Sequence, residues 1–106
     1  MQTLATGLAA DATSDSFQTK RHGDVYIEFT GTFDASPPDV TMQVSDTKDG
    51  SYITFTADGV NQVFTEVSTH RLSLPGGKWF RFDVENTGTN SINIKLAGDF
   101  IDLPDA

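Results

Sequence analysis

The stretch DVYIEFT, residues 24–30, decides the fold class because apolar side chains alternate along it with polar or amphipathic ones. In an extended chain successive side chains point to opposite faces, so Val25, Ile27 and Phe29 lie together on one face. This period of two predicts a β-strand with one dry face and one wet face. Strands of that kind belong to antiparallel sheets that cover a core on one side.

The same alternation recurs farther along the chain, at residues 40–45, 80–85 and 92–96. No window has the apolar spacing of a helix of useful length. Short polar turns between strands are typical of sandwiches and barrels. We therefore predict an all-β fold, a single antiparallel β-sandwich of about seven or eight strands with an immunoglobulin-like or jelly-roll-like topology.

The clearest turn signal is the dipeptide Asp58-Gly59, which favours a two-residue hairpin turn of type I′. Such a turn sets Ala57 opposite Val60, and the register then continues outward in steps. Because paired residues share a face of the sheet, the hairpin should collect its apolar residues on one dry side. Those residues are Ile53, Phe55, Ala57, Val60 and Phe64, with Ile53 opposite Phe64.

Length and composition indicate one domain, since 106 residues is an ordinary single-domain size. The chain contains no cysteine, so apolar packing and strand pairing have to supply its stability. We predict one domain over residues 1–106, in which residues 1–15 and 99–106 are flanking extensions. Their scattered apolar residues suit either wrapping around the domain or contact with a neighbouring molecule.

The charge balance excludes several classes of partner. With 15 acidic and 7 basic residues the net charge is −8, so no basic patch could neutralise a nucleic-acid backbone. No segment approaches the roughly 20 apolar residues of a membrane span. Residues 4–12 are preceded by no basic residue and contain Asp11, so we do not expect a secretory signal there.

The sequence contains no recognisable catalytic or metal-binding pattern. His22 and His70 each stand beside an arginine, and neither has the spacing of a metal site. Residues 46–50 superficially resemble a calcium loop, but a lysine occupies a ligand position, and a hairpin turn explains them better. Asp83 and Glu85 lie about 6–7 Å apart on one strand face, a spacing that a glycosidase pair could use, yet strand alternation already accounts for them. We predict no enzyme, no cofactor and no metal site.

A small set of residues is predicted to contact a partner protein. By alternation Trp79 points away from the core on the side of Arg81, and an outward tryptophan beside an arginine is a frequent interface anchor. The alternative is that Trp79 caps the end of the sandwich beside the turn at residues 75–77. Apolar residues beyond the last predicted strand are expected to be exposed as well. The full set of predicted contacts is Trp79, Phe100, Ile101 and Leu103.

The layout of the chain resembles a group of small β-sandwich virion proteins of tailed bacteriophages. The resemblance is carried by residues 23–33 (GDVYIEFTGTF), 40–54 (VTMQVSDTKDGSYIT) and 74–96 (LPGGKWFRFDVENTGTNSINIKL). In these stretches a strand ends in Gly-x-Phe, another precedes an Asp-Gly turn, and a Leu-Pro-Gly turn leads into an aromatic-Arg strand. The resemblance covers residues 16–98.

This resemblance implies a head decoration (cement) protein, a structural subunit that binds the major capsid protein in many copies, often as a homotrimer. Its location would be the virion, after synthesis in the host cytoplasm. Two other functions stay open. A carbohydrate-binding or fibre/receptor-binding module would group Trp79, Tyr26 and Tyr52 on one exposed face. A tail, neck or baseplate component would form rings.

Overall fold

The computed structural model describes residues 2–9, 11–33, 39–85, 91–98 and 100–102. Every regular element in this part of the chain is a β-strand, and every ladder between strands is antiparallel. The strands are β1 (Gln2–Leu8), β2 (Ala12–Thr13), β3 (Phe17–Thr19), β4 (Gly23–Thr32), β5 (Asp39–Ser45), β6 (Ile53–Thr54), β7 (Thr56–Ala57), β8 (Val60–Asn61), β9 (Val63–Phe64), β10 (Ser68–Leu74), β11 (Trp79–Glu85), β12 (Ser91–Ala97) and β13 (Ile101–Asp102).

The longer strands form two sheets. The first sheet has the order β1-β12-β4-β10, and the second has the order β13-β3-β11-β5-β6. In the second sheet β2 also pairs with β11, and β9 also pairs with β5. The predicted all-β antiparallel sandwich is confirmed. The strands outnumber the predicted seven or eight, in part because border strands are broken into short pieces that pair with the same neighbour: β2 and β3 with β11, and β6 and β9 with β5.

A serine produces one of these breaks. Between β2 and β3, the Ser14 backbone N–H donates to the Phe82 carbonyl oxygen at 2.8 Å. The Phe82 N–H donates in return to Ser14 Oγ, at 2.9 Å. The side-chain oxygen thus replaces a backbone carbonyl, which satisfies Phe82 while the border strand departs from regular pairing.

Phenylalanine rings fill the space between the sheets. Phe29 of the first sheet meets Phe82 of the second edge to face, with 5.6 Å between ring centroids. Phe17 stacks on Phe80 at 5.6 Å, and Phe64 stacks on Phe29 at 4.6 Å. Each fully buried ring contributes roughly 2–3 kcal/mol of transfer free energy. The alternation in the sequence is confirmed here, because the inward-facing apolar positions of β4, β11 and β12 are all buried.

The predicted hairpin exists but leaves the sheet. Asp58 and Gly59 have φ values of +53° and +79°, as a type I′ turn requires, and Ala57 is paired with Val60. The predicted pair of Ile53 and Phe64 is wrong, because each of these residues pairs separately with β5. The short hairpin β7–β8 is therefore an excursion from one border position of the second sheet.

The dry face predicted for this segment is correct only in part. Phe55 and Phe64 are buried, but Ile53 is 67% exposed and Val60 is 61% exposed. The excursion carries Val60 beyond the core, and Ile53 lies at the sheet border. An apolar side of a hairpin stays dry only where another layer covers it.

The described parts of the two predicted flanking extensions lie within the sheets. The N-terminal strand β1 pairs with β12, and Leu4 is buried in the core. Near the other end, β13 pairs with β3. The sequence left open whether these segments wrap around the domain or contact a neighbouring molecule. Their described residues wrap around the domain.

Gly31, the glycine of the Gly-x-Phe sequence at the end of β4, is required there for a steric reason. Its φ is +107°, and a Cβ atom at this position would lie 2.0 Å from the carbonyl oxygen of Ser91 in β12. No residue with a side chain fits so close an approach of two backbones. The glycine lets β4 and β12 stay paired to the end of the strand.

The central ring of this core provides a test of the fold. We expect Phe82→Ala to lower the free energy of unfolding by about 3–5 kcal/mol, because it leaves a cavity between Phe17 and Phe29. Urea denaturation of both proteins measures the difference. Val60→Ala, at an exposed position, is the control and should change stability by less than about 0.5 kcal/mol. Equal effects of the two substitutions would contradict the packing described.

Candidate binding surface

Trp79 begins β11 on the outer face of the second sheet, meaning the face turned away from the first sheet. It is half-buried, and Phe80, the next residue, is fully buried in the core. Arg81 shares the outer face because it lies two residues farther along the strand. The predicted direction of Trp79, toward Arg81 and away from the core, is confirmed.

Neighbouring strands bring further groups against these two side chains. The Arg81 guanidinium carbon lies 4.1 Å from the centroid of the Tyr52 ring, and Arg81 Nε donates to Gln43 Oε1 at 2.7 Å. Lys48 Nζ lies 5.9 Å from the centroid of the Trp79 ring. The Tyr52 hydroxyl donates to the Lys48 carbonyl oxygen at 2.8 Å. We call Gln43, Lys48, Tyr52, Trp79 and Arg81 the aromatic–cation cluster.

This cluster is held in place by the fold. Arg81 is paired with Gln43 across the β11–β5 ladder, and Gln43 is paired with Thr54 across the β5–β6 ladder. A cation over an aromatic ring stabilises by about 0.5–1 kcal/mol at an exposed site, and the Gln43 bond fixes the guanidinium in that position. The cluster therefore presents large side chains with little freedom left to lose on binding.

Exposed apolar residues lie beside the cluster. In the described part of the chain most of the large exposed apolar side chains fall in one stretch, residues 53–67, which also contains the hairpin β7–β8. We call this stretch the apolar segment. Its exposed members are Ile53, Val60, Val63 and Val67. The segment begins one residue after Tyr52, and Val63 shares the outer face with Gln43 because it is paired with Thr41, whereas Ile53 is paired with Val44 and faces the other side. No lysine or arginine occurs between Lys48 and Arg71.

Two of the predicted contact residues are not at the surface. Phe100 is 3% exposed and Ile101 is 6% exposed. The prediction that they are exposed is wrong, because the chain returns to the second sheet. Ile101 pairs with Thr19, and the Lys20 N–H donates to the Phe100 carbonyl oxygen at 2.7 Å. Leu103 lies outside the described residues, so Trp79 alone among the four is described at a surface position.

The aromatic residues considered for sugar binding are divided between the two sheets. Tyr26 lies on the outer face of the first sheet, where its ring centroid is 5.9 Å from the Arg71 guanidinium carbon. Trp79 and Tyr52 lie on the second sheet. The structure thus brings two of the three together, and the prediction that all three share a face is wrong.

The two histidines lie in different surroundings. His22 is exposed, whereas His70 is half-buried, with its ring centroid 4.6 Å from that of Phe64. The Ser68 hydroxyl lies 2.8 Å from His70 Nε2. Within the described ranges, no three His, Cys, Asp or Glu side chains are grouped as metal ligands would be, and no helix there could span a membrane.

A charged network occupies the outer face of the first sheet. Arg71 Nε donates to Asp24 Oδ2 at 2.9 Å, and the Ser73 hydroxyl donates to Asp24 Oδ1 at 2.6 Å. These bonds lower the pKa of Asp24, with Ser73 the largest cause and Arg71 the next. Because the carboxylate is exposed, the network fixes side-chain positions more than it stabilises the fold.

Comparisons with known proteins support the fold. No protein-family model matches the sequence, and no curated protein matches it. A solved structure of a family 35 carbohydrate-binding module from an environmental isolate is similar to this chain, with a TM-score of 0.50 and 18% sequence identity. The similarity covers 95% of this chain and 76% of that module. At this identity the similarity establishes a shared β-sandwich architecture.

The Asp24 network predicts a pH dependence. In the folded protein the pKa of the Asp24 carboxyl group is lowered below 3.8. The stability that this carboxylate contributes is therefore present above pH 3.8 and is lost as the pH falls through the folded pKa. NMR titration of the Asp24 carboxyl carbon should therefore give a midpoint below 3.8. Ser73→Ala should move the midpoint upward, whereas the control Ser68→Ala on the same strand should not. Identical midpoints in all three proteins would contradict the network.

Proposed function

We propose that this chain is a non-catalytic structural subunit that binds other proteins, including copies of itself, through the outer face of its second sheet. The observation that carries the proposal is the aromatic–cation cluster. Tryptophan, tyrosine and arginine are the residue types that contribute most to protein interfaces. Here Trp79, Tyr52 and Arg81 occur together on one face.

The apolar segment supports the same function. Exposed apolar side chains are ordinary when scattered singly, but a group of them in one region is typical of an interaction surface. Ile53 and Val63 lie at the border of the second sheet, and Val60 lies on the hairpin. Val63 is paired with Thr41, so it shares the outer face with the cluster and adds an apolar side chain there, as interface cores commonly have.

The finer form of the proposal is a virion subunit that decorates a capsid shell. Its support is the sequence layout over residues 23–33, 40–54 and 74–96, which resembles small virion proteins of tailed phages. The partner would then be the major capsid protein. The net charge of −8 keeps free copies apart until a specific contact or a suitable partner overcomes the repulsion.

Self-association provides the test. Light scattering after size exclusion should show a mass that rises with protein concentration and with salt, because salt screens the repulsion between acidic copies. Trp79→Ala with Arg81→Ala should weaken association by at least about thirtyfold, the loss expected for an interface hot spot. Tyr26→Ala with Lys95→Ala, on the outer face of the first sheet, is the matched control. A monomer at every concentration and salt would overturn self-association as part of the function.

A second candidate function is carbohydrate binding, which the composition of the same face favours. Trp79 and Tyr52 could stack on sugar rings, and the Gln43 amide and the Asp83 carboxylate on this face could bind hydroxyl groups. The neighbour with a similar fold is a carbohydrate-binding module.

Trp79 is the only tryptophan in the sequence, so its fluorescence reports directly on this face. If the chain binds carbohydrate, a glycan array should give hits, and the matching free sugars should change the emission. The control pair Tyr26→Ala and Lys95→Ala should retain binding. An array without hits, together with unchanged emission, would reject the sugar-binding candidate and leave the assembly proposal standing.

A further inference from the structure

The borders of the two sheets differ in how well they are protected against pairing with another chain. In β1 the register with β12 shifts between Thr3 and Ala5 and again between Ala5 and Leu8. In the second sheet β13 has 2 residues, and the opposite border is divided into β6 and β9 by the hairpin excursion. Bulges, short strands and interruptions are the usual means by which proteins block sheet borders.

Strand β10, the remaining border, has none of these features. Its 7 residues, from Ser68 to Leu74, lie opposite consecutive residues of β4 without any shift of register. No described strand pairs with its other side. In an antiparallel ladder alternate residues bond to the neighbour, so the N–H and C=O groups of the others point outward from β10.

The charges around β10 favour a second copy of this chain as the partner. The strand contains no aspartate or glutamate, although the chain has 15 acidic residues. Its arginine, Arg71, is paired within its own sheet with Asp24. Two acidic copies can therefore approach each other along β10 with little repulsion between like charges.

The regular geometry of β10 also suits a second copy of this chain as the partner. A regular strand can pair antiparallel with its own copy about a two-fold axis, which gives a closed and self-complementary contact. Leu72 faces the core side and is only half-buried at this border. A register centred on Leu72 would set its side chain against that of its copy and cover both.

We propose that β10 pairs antiparallel with β10 of a second copy, so that the first sheets of two molecules become one continuous sheet. The proposal rests on the proposed assembly function and specifies a contact for it that is separate from the aromatic–cation cluster. The bonds are formed by backbone groups, and the register of β10, which unlike that of β1 has no shift, restricts the pairing to this border.

Amide hydrogen exchange, followed by NMR at low and high protein concentration, tests the contact on the unmodified chain. In the monomer alternate amides of residues 68–74 should exchange quickly, because they point outward. On self-association the same amides should slow by at least about tenfold, while exposed amides of β1 should not change. Self-association without this protection would overturn the β10 contact and leave the assembly function intact, whereas a strict monomer would overturn both.

Proline substitution gives a second, independent test. Thr69 and His70 are neighbours, so only one of them donates its backbone N–H to β4, and the other is recognised by its fast amide exchange in the monomer. Proline is placed at the fast-exchanging position. It removes an N–H group that makes no bond within the sheet, which a border strand tolerates. Association should weaken by about tenfold, since the two-fold axis removes the bond twice. Proline placed by the same criterion in β1 is the matched control, and equal weakening by both would contradict the proposal.

Discussion

The burial of phenylalanine rings between two sheets is the interaction on which the rest of this structure depends. The chain has no cysteine, so no disulfide can hold it together. Phe29 and Phe82 meet at the centre of the sandwich, and Phe17 and Phe64 pack on them from either side. Every strand that contributes a ring must present that face inward, which fixes the register of each ladder.

The same requirement explains the irregular borders. Phe55 and Phe64 both reach the core, yet the residues between them are too many for one straight strand beside β5. The chain resolves this by sending β7 and β8 out as a hairpin from the border. Met42 holds the base of the excursion, since its N–H donates to the Gln62 carbonyl oxygen at 2.9 Å and its carbonyl oxygen accepts from the Phe55 N–H at 2.8 Å. Apolar residues exposed in this stretch follow from the burial of its phenylalanines.

The two outer faces consequently have different characters. The first sheet presents an ion-paired, polar surface centred on Asp24 and Arg71, and one regular border at β10. The second presents the aromatic–cation cluster beside the apolar segment. The proposed assembly function would use both, with backbone pairing at a border and side-chain anchors on a face. The two proposed contacts differ in chemistry, so substitutions can separate them.

The sequence by itself determined the fold class, the inward residues of β4, β11 and β12, and the outward direction of Trp79, because strand periodicity is a local property of the chain. It also predicted the turn at Asp58-Gly59 from the backbone preferences of those residues. Only the tertiary structure decided that Phe100 and Ile101 are core residues, that Ile53 is exposed, and that Tyr52 and Arg81 meet. Those outcomes depend on which strands become neighbours and on where a covering layer ends, and local alternation carries no information about either.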